Sequence, residues 1–458
     1  MSLIGAKRAS LKRYPRRFYV DATAGLDTNA GRSPSLAWQT EAAINGNTNL
    51  RRYDRIYFKR GETFALAATI TIPADGLYLG AYGTGDNPII DGQDTVNCIT
   101  AAGINNIRLE NLDLTQGVNH GAILNGCSAV VIVNCDMHDA GNDNLLLYNG
   151  CNRCHVYGGE YYNAAAGAGN CGIEISDGGY DFLIEGVECY SNNEGMSIHN
   201  HPTTEMPTNV TVRNSTFRNN LNNGLNVGED QAHGALTILI EACTSHTNAG
   251  DNFAVGYINN YPSGVQLKDC ISYGATSENY YIKADDVLLE RCISYDNAVA
   301  LCKGVKVLDS VGVNIYNCSF YHITESWPVI VIDGARADNV KMKNCIQGAG
   351  AAIIVMEITA AAVGGGGTFD INYNLYQCNP DLSKFKYNGG WVTWANWKTN
   401  SGQDAASPTP ADPKYVNPAT PDFTLQADSP AINAGLVIPG ITDGYLGVAP
   451  DCGYKEKA

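Results

Sequence analysis

Charge is scarce in this chain of 458 residues: 17% are Asp, Glu, Lys or Arg, against 44% hydrophobic. That balance excludes intrinsic disorder, which needs many charges and few apolar residues. It also excludes a coiled-coil protein, which is built mostly from Ala, Glu, Lys and Leu. Long apolar runs are missing; none approaches the roughly 18 residues of a membrane span, so no membrane partner is expected. No apolar stretch follows the basic N-terminus, so no signal peptide is expected. Basic residues cluster only between Lys7 and Arg17, and 30 basic residues face 46 acidic ones, a net charge of −16. This argues against a nucleic-acid partner. The 15 cysteines are too sparse for a small disulfide scaffold. Cys151 and Cys154 form one C-x-x-C with no second pair at zinc spacing, which excludes a metal knuckle. The length suits one very large domain or two to three ordinary ones.

What the chain does have is repetition. Short apolar strands end in a small or polar pair: Ile107 to Asn111, Val131 to Cys135, Phe182 to Gly186, Val210 to Asn214 and Thr237 to Glu241. The series goes on through Val265 to Cys270, Val287 to Cys292, Val313 to Cys318 and Val340 to Cys345. Equivalent positions fall at 111, 134, 158, 186, 214, 242, 269, 291, 317 and 344, so the steps lie between 22 and 28 residues. Such a period signals a solenoid. The Leu-x-x-Leu-x-Leu pattern of leucine-rich repeats is missing. Each repeat instead holds two or three strand-like runs separated by Gly, Asn and Asp. Strand alternation places Val131 with Val133, and Val265 with Leu267, on one face. Coils of this kind bury that face by stacking about 4.8 Å apart. The expected fold is all-β, a parallel β-helix. Cys135, Cys243, Cys270, Cys292, Cys318 and Cys345 then align as an inward row of small, reduced hydrophobes.

The ends depart from the period. Residues 1–95 are expected to form an N-terminal cap and the first coils, with a short helix near Trp38 to Ile44. Residues 96–360 form the coils, and 361–458 a less regular capping segment, since a solenoid must cover its open ends. Trp391, Trp394 and Trp397 are expected on one side of a short helix packed on the solenoid.

Several stretches resemble right-handed parallel β-helix proteins of the pectate-lyase superfamily. They are Phe18 to Gly25, Asp54 to Phe64, Gly80 to Gly92, Asp422 to Gly435 and Ala449 to Tyr454. The resemblance spans nearly the whole chain and implies the right-handed form of the fold. It does not choose a chemistry, because the superfamily holds polysaccharide lyases, glycoside hydrolases, epimerases and phage tailspikes. The polygalacturonase motifs N-T-D, D-D, G-H-G and R-I-K are not present as a set, and the pectate-lyase W-I-D-H run is absent. Gly195 to His199 is similar to the D-P-H region of alginate C5-epimerases at His199, but Ser197 stands where they carry Asp.

Aligning the second strand of successive coils gathers the titratable groups. Ile173 and Ile175, Met196 and Ile198, and Leu225 and Val227 face inward. Glu174, Ser197 and Asn226 form one outward column, and Ser176, His199 and Gly228 the next. Asp177, Asn200 and Glu229 form a third, with His201 and Asp230 beside them. Asp177 and Glu229, two coils apart, are expected about 9.6 Å apart at the backbone, close to the roughly 6.5–9.5 Å between carboxyls of inverting glycosidases. Turn chemistry alone also places Asp and Asn at such positions. The concentration of Glu174, Asp177, His199, His201, Glu229, Asp230 and His233 in three coils goes beyond it.

The expectation is a carbohydrate-active enzyme with a polysaccharide in an outward groove, with hydrolysis favoured over β-elimination. Asp177 and Glu229 share the acid and base roles, with Glu174 and Asp230 as alternates and His199 beside them. His201, Asn226, His233, Tyr257 and Lys283 bind substrate. Hydrolysis needs no cofactor. In a lyase, carboxylates would hold Ca²⁺, and His199 or Lys283 would take the C5 proton. The other readings are a non-catalytic tailspike or adhesin gripping glycan through Tyr161-Tyr162 and Tyr280-Tyr281, and a uronate C5-epimerase. A monomer or homotrimer, extracellular or virion-associated, fits each of them.

Overall fold

The computed structural model describes residues 15–167, 169–228, 236–256, 261–295, 303–322, 328–349 and 354–457. The chain winds as a right-handed parallel β-solenoid. Three long sheets run its length. The first holds 14 strands, from Arg17–Val20 to Phe369–Asn372. The second holds 13, from Thr63–Ala65 to Leu375–Gln377. The third starts at Ile70–Thr71 and runs to Phe385–Tyr387, where the antiparallel strand Gly390–Val392 ends it. The other neighbouring strands in the three sheets pair in parallel, each with its counterpart in the next coil.

The first sheet shows how the core is built. Leu109, Ile132, Val156, Ile184, Val212, Ile240, Leu267, Leu289, Ile315, Met342 and Ile371 stand in one register line. All are essentially buried. Burying each aliphatic side chain is worth about 1.5–3 kcal/mol, but only because the next coil covers it. Val265 and Leu267 point inward. Val131 and Val133 do not: Ile132 between them faces the core. The pairing of Ile132 with Leu109 sets that phase, and three apolar residues in a row cannot reveal it.

The repeat positions are corners. Asn111, Asn134, Asn214, Asp269, Asn317 and Asn344 all have φ between 47° and 57°. Asn and Asp tolerate this left-handed region better than other side chains. Ala242, Arg291 and Tyr373 adopt it too, because the register of the neighbouring coils dictates the corner. At Gly158-Gly159 glycine is required: a Cβ on Gly159 would lie 2.0 Å from the Cys135 carbonyl oxygen. The residue after each corner turns inward, and there Cys135, Cys243, Cys270, Cys292, Cys318 and Cys345 are fully buried. All 14 cysteines among the described residues are free thiols.

A second internal row went unread in the sequence. Before the third sheet, Asn192, Asn220 and Asn248 form a buried ladder. The Asn192 amide donates to Asn220 Oδ1 at 3.1 Å, and the Asn220 amide to Asn248 Oδ1 at 3.0 Å. Asn252 Nδ2 extends a parallel row to Asn279 Oδ1 at 3.0 Å. These amides satisfy backbone groups that the corner leaves unpaired.

The N-terminal cap contains the helix Glu41–Asn45, shorter than expected and starting after Trp38. At the other end, the helix Trp394–Ser401 buries Trp394 and Trp397. Trp397 Nε1 donates to buried Asp404 Oδ2 at 2.9 Å, as does the Tyr376 hydroxyl at 2.8 Å. Trp391 does not share that face; it lies on the closing strand Gly390–Val392 and is exposed. Among the described residues no helix is long and apolar enough to cross a membrane.

Candidate functional site

The third sheet supplies the site. Its central strands are Leu145–Tyr148, Cys171–Ser176, Glu194–His199, Leu225–Val227, Phe253–Val255 and Glu278–Ile282. Register pairs Glu174 with Ser197 and Ser197 with Asn226, and Ser176 with His199. Ile173, Ile175, Met196, Ile198, Leu225 and Val227 point into the core. The alternate residues therefore point away from it, yet Glu174 is 9% exposed, Ser197 3% and Asn226 7%. This outward face is recessed.

Glu174 is strongly perturbed there. Burial, and then the nearby charge of Asp143, push its carboxyl up to about 7. Ser176 donates a hydrogen bond to Glu174 Oε1 at 2.7 Å, which works the other way. His199 Nε2 lies 3.8 Å from the same oxygen, and His199 Nδ1 is 3.1 Å from Ser197 Oγ.

Asp177 is driven in the opposite direction. It occupies the left-handed corner after the strand, at φ 59°. Burial tends to raise its carboxyl, but bonds from Thr204 and His201 outweigh it and hold the group below the usual carboxylate range. The Thr204 hydroxyl donates at 2.6 Å, the His201 amide at 3.0 Å, and His201 Nδ1 lies at 2.9 Å. All three meet Oδ1. Asn200 is buried and donates to the Thr204 carbonyl; it is part of the turn rather than of an outward column.

Sequence alignment missed a further column, at the start of each strand or two residues before it. Asp143, Cys171, Glu194, Asn223, Asp251 and Glu278 occupy it. Glu194 lies beneath amide donors from Asn222 at 3.1 Å, Asn223 at 3.4 Å and Asn226 at 3.3 Å. Burial still raises its carboxyl. Asp251 is pushed up to about 7 by burial and by the charge of Glu278. Lys303, 2.5 Å from Glu278 Oε1, holds Glu278 low against the effect of burial. The signal was present: each residue precedes the Asn or Gly that opens the aligned segment. Asp143, Cys171 and Glu174 place ligand atoms within 4.8 Å of one another. Burial, and then the charge of Glu194, keep the Cys171 thiol far above its ordinary value. A protonated thiol beside two carboxylates is a poor cage for a hard cation, which takes about six to eight oxygens.

Other expected residues are dispersed. Glu229, Asp230, His233 and Tyr257 lie outside the described residues. Lys283 is on the same sheet, beyond the acidic stretch, with Nζ 5.9 Å from the Tyr261 ring centroid. Tyr161 and Tyr280 are core residues, fully buried, so the two tyrosine pairs do not form a glycan-facing surface. Tyr162 lies on the second sheet between His138 and Tyr190, with centroid distances of 4.5 and 4.9 Å and nearly parallel rings. Its faces are thus occupied by neighbouring rings.

The family model for right-handed β-helix regions matches residues 205–363. No curated protein is significantly similar to the chain in sequence. Among solved structures, pectate lyase Pel9A is similar, at 16% identity over 97% of both chains and a TM-score of 0.50. A tailspike protein of E. coli bacteriophage HK620, solved with a hexasaccharide, is 12% identical over 78% of this chain and 77% of its own, with a TM-score of 0.51. The chain shares the right-handed parallel β-helix fold of these structures.

Proposed function

We propose that the protein is a glycoside hydrolase that cuts a polysaccharide lying along the recessed face of the third sheet. The observation that carries this is one strand end with two carboxyls driven apart: Glu174 up to about 7 and Asp177 below the ordinary range. Such a split assigns the acid to one group and the base to the other. Glu174, protonated through mildly acidic pH, delivers a proton to the glycosidic oxygen as it leaves. Asp177, ionised and steadied through Oδ1, activates water through Oδ2. His199, between Ser197 and Glu174, orients the sugar. Beyond sharing the fold, the solved relatives include a lyase and a glycan-bound tailspike, which supports a carbohydrate partner. Ca²⁺ belongs only to the eliminative alternative.

Incubation with a panel of polysaccharides, with and without Ca²⁺, tests the reading. New reducing ends without unsaturated-uronate absorbance are expected. Glu174→Gln should lower the rate by about 10²–10⁴-fold, the usual worth of a general acid. Reducing ends together with that absorbance would mean a lyase. Retention of glycan with no cleavage would mean a binding protein.

A further inference from the structure

Resting on that reading, we propose that the stretch of glycan crossing the third sheet is uncharged: the substrate is a neutral, hydroxyl-rich polysaccharide and not a polyuronate. Two independent observations converge on this. First, this face is lined by carboxyls. Asp143, Glu174, Glu194, Asp251 and Glu278 line it, and the cation among them, Lys303, is paired with Glu278. Lys283 follows the far end of the Glu278 strand, and Lys306 stands opposite Tyr281 on the next strand. A uronate brought here would leave water for a recessed face lined by carboxyls, where the lysine beside Glu278 is already paired.

Second, a buried acceptor is waiting for a donor. Asn226 directs Nδ2 to Glu194 Oε2 at 3.3 Å. Among the described residues its buried Oδ1 has no hydrogen-bond partner. Gly228, across from His199, borders that amide; a Cβ there would lie 3.6 Å from Asn226 Nδ2 and 3.9 Å from both Asn226 Oδ1 and His199 Cβ. A sugar hydroxyl can donate to Oδ1 and satisfy it, whereas an ionised carboxylate has no hydrogen to give. Asn226 is two strands along from Glu174 in the same column, about 9.6 Å at the backbone. One bound chain can therefore reach both.

Ca²⁺ could in principle bridge a uronate to such a face. Among the described residues, the group of three His, Cys, Asp or Glu side chains close enough to share an ion is Asp143, Glu174 and the Cys171 thiol, and the thiol is a poor ligand for Ca²⁺.

Affinity electrophoresis of the intact protein tests the proposal. Gels would contain neutral polymers (glucan, mannan, galactan, arabinan) or polygalacturonate or alginate, each with and without Ca²⁺. Retardation by at least one neutral polymer is expected, with polyuronates weaker by on the order of a hundredfold or more. Asn226→Ala should weaken the neutral interaction by roughly tenfold. Polyuronate binding equal to or tighter than neutral binding, or no neutral binding, would overturn the proposal. The two readings separate cleanly. A neutral glycan bound but uncut keeps this inference and sinks the hydrolase. A polyuronate hydrolysed does the reverse, and a polyuronate eliminated sinks both.

Discussion

The alkaline limb of the pH–rate profile should belong to Glu174, and two neighbours should move it in opposite directions. With its carboxyl near 7, Glu174 is mostly protonated at pH 6 and mostly ionised at pH 8, so kcat/KM should fall through neutrality. The Ser176 hydroxyl bond at 2.7 Å favours the ionised form. A hydrogen bond to a charged group is worth about 1.5–3 kcal/mol, and one pKa unit is about 1.4 kcal/mol. Ser176→Ala should therefore raise the limb by about one unit or more. Asp143→Asn removes the charge that opposes ionisation and should lower the limb. The same group makes stability depend on pH. Its folded value lies above its ordinary 4.5, so its contribution is complete below about 4.5 and is lost as pH rises through about 7. Denaturant midpoints measured from pH 4 to 8 should decline over that window, and Glu174→Gln should flatten part of the decline. A limb that stays put in both Ser176→Ala and Asp143→Asn would refute the assignment. So would a Glu174→Gln protein within tenfold of the original rate.

Thr204→Val removes one bond to Asp177 Oδ1 and keeps the carboxylate, so the acid limb should shift upward in the pH–rate profile while the maximal rate changes little. Asn220→Ala deprives the buried Asn192 amide of its acceptor; urea denaturation should show a loss of about 1–3 kcal/mol, with activity per folded molecule retained. Thiol titration of denatured, unreduced protein should find most of the 15 cysteines free, because the inward row packs as small hydrophobes. Nearly complete oxidation would contradict the stacking.

The sequence by itself determined the solenoid, because its cause is local and repeated. A left-handed corner prefers Asn, Asp or Gly, and the inward position after it takes an apolar or small residue, most often Cys. Both recur every 22–28 residues, at 111, 134, 214, 269, 317 and 344 among others. Alternation likewise placed Glu174, Ser197 and Asn226 in one outward column, and the register agrees. Tertiary structure decided what alternation cannot express. The phase of Val131 to Val133 was set by the neighbouring coil. Tyr161 and Tyr280, next to outward tyrosines in sequence, went to the core because strand parity sends adjacent residues to opposite sides. The column of Asp143, Glu194, Asp251 and Glu278 formed because the coils stack these strand-entry residues in one register. Above all, burial separated two carboxyls that composition treats alike. Glu174 is recessed beside Asp143 and holds its proton, while Asp177, three residues on, is ionised by donors from a turn 24–27 residues away. Charge state is set by desolvation and by partners brought in from other coils, and neither is written in the order of residues along one strand.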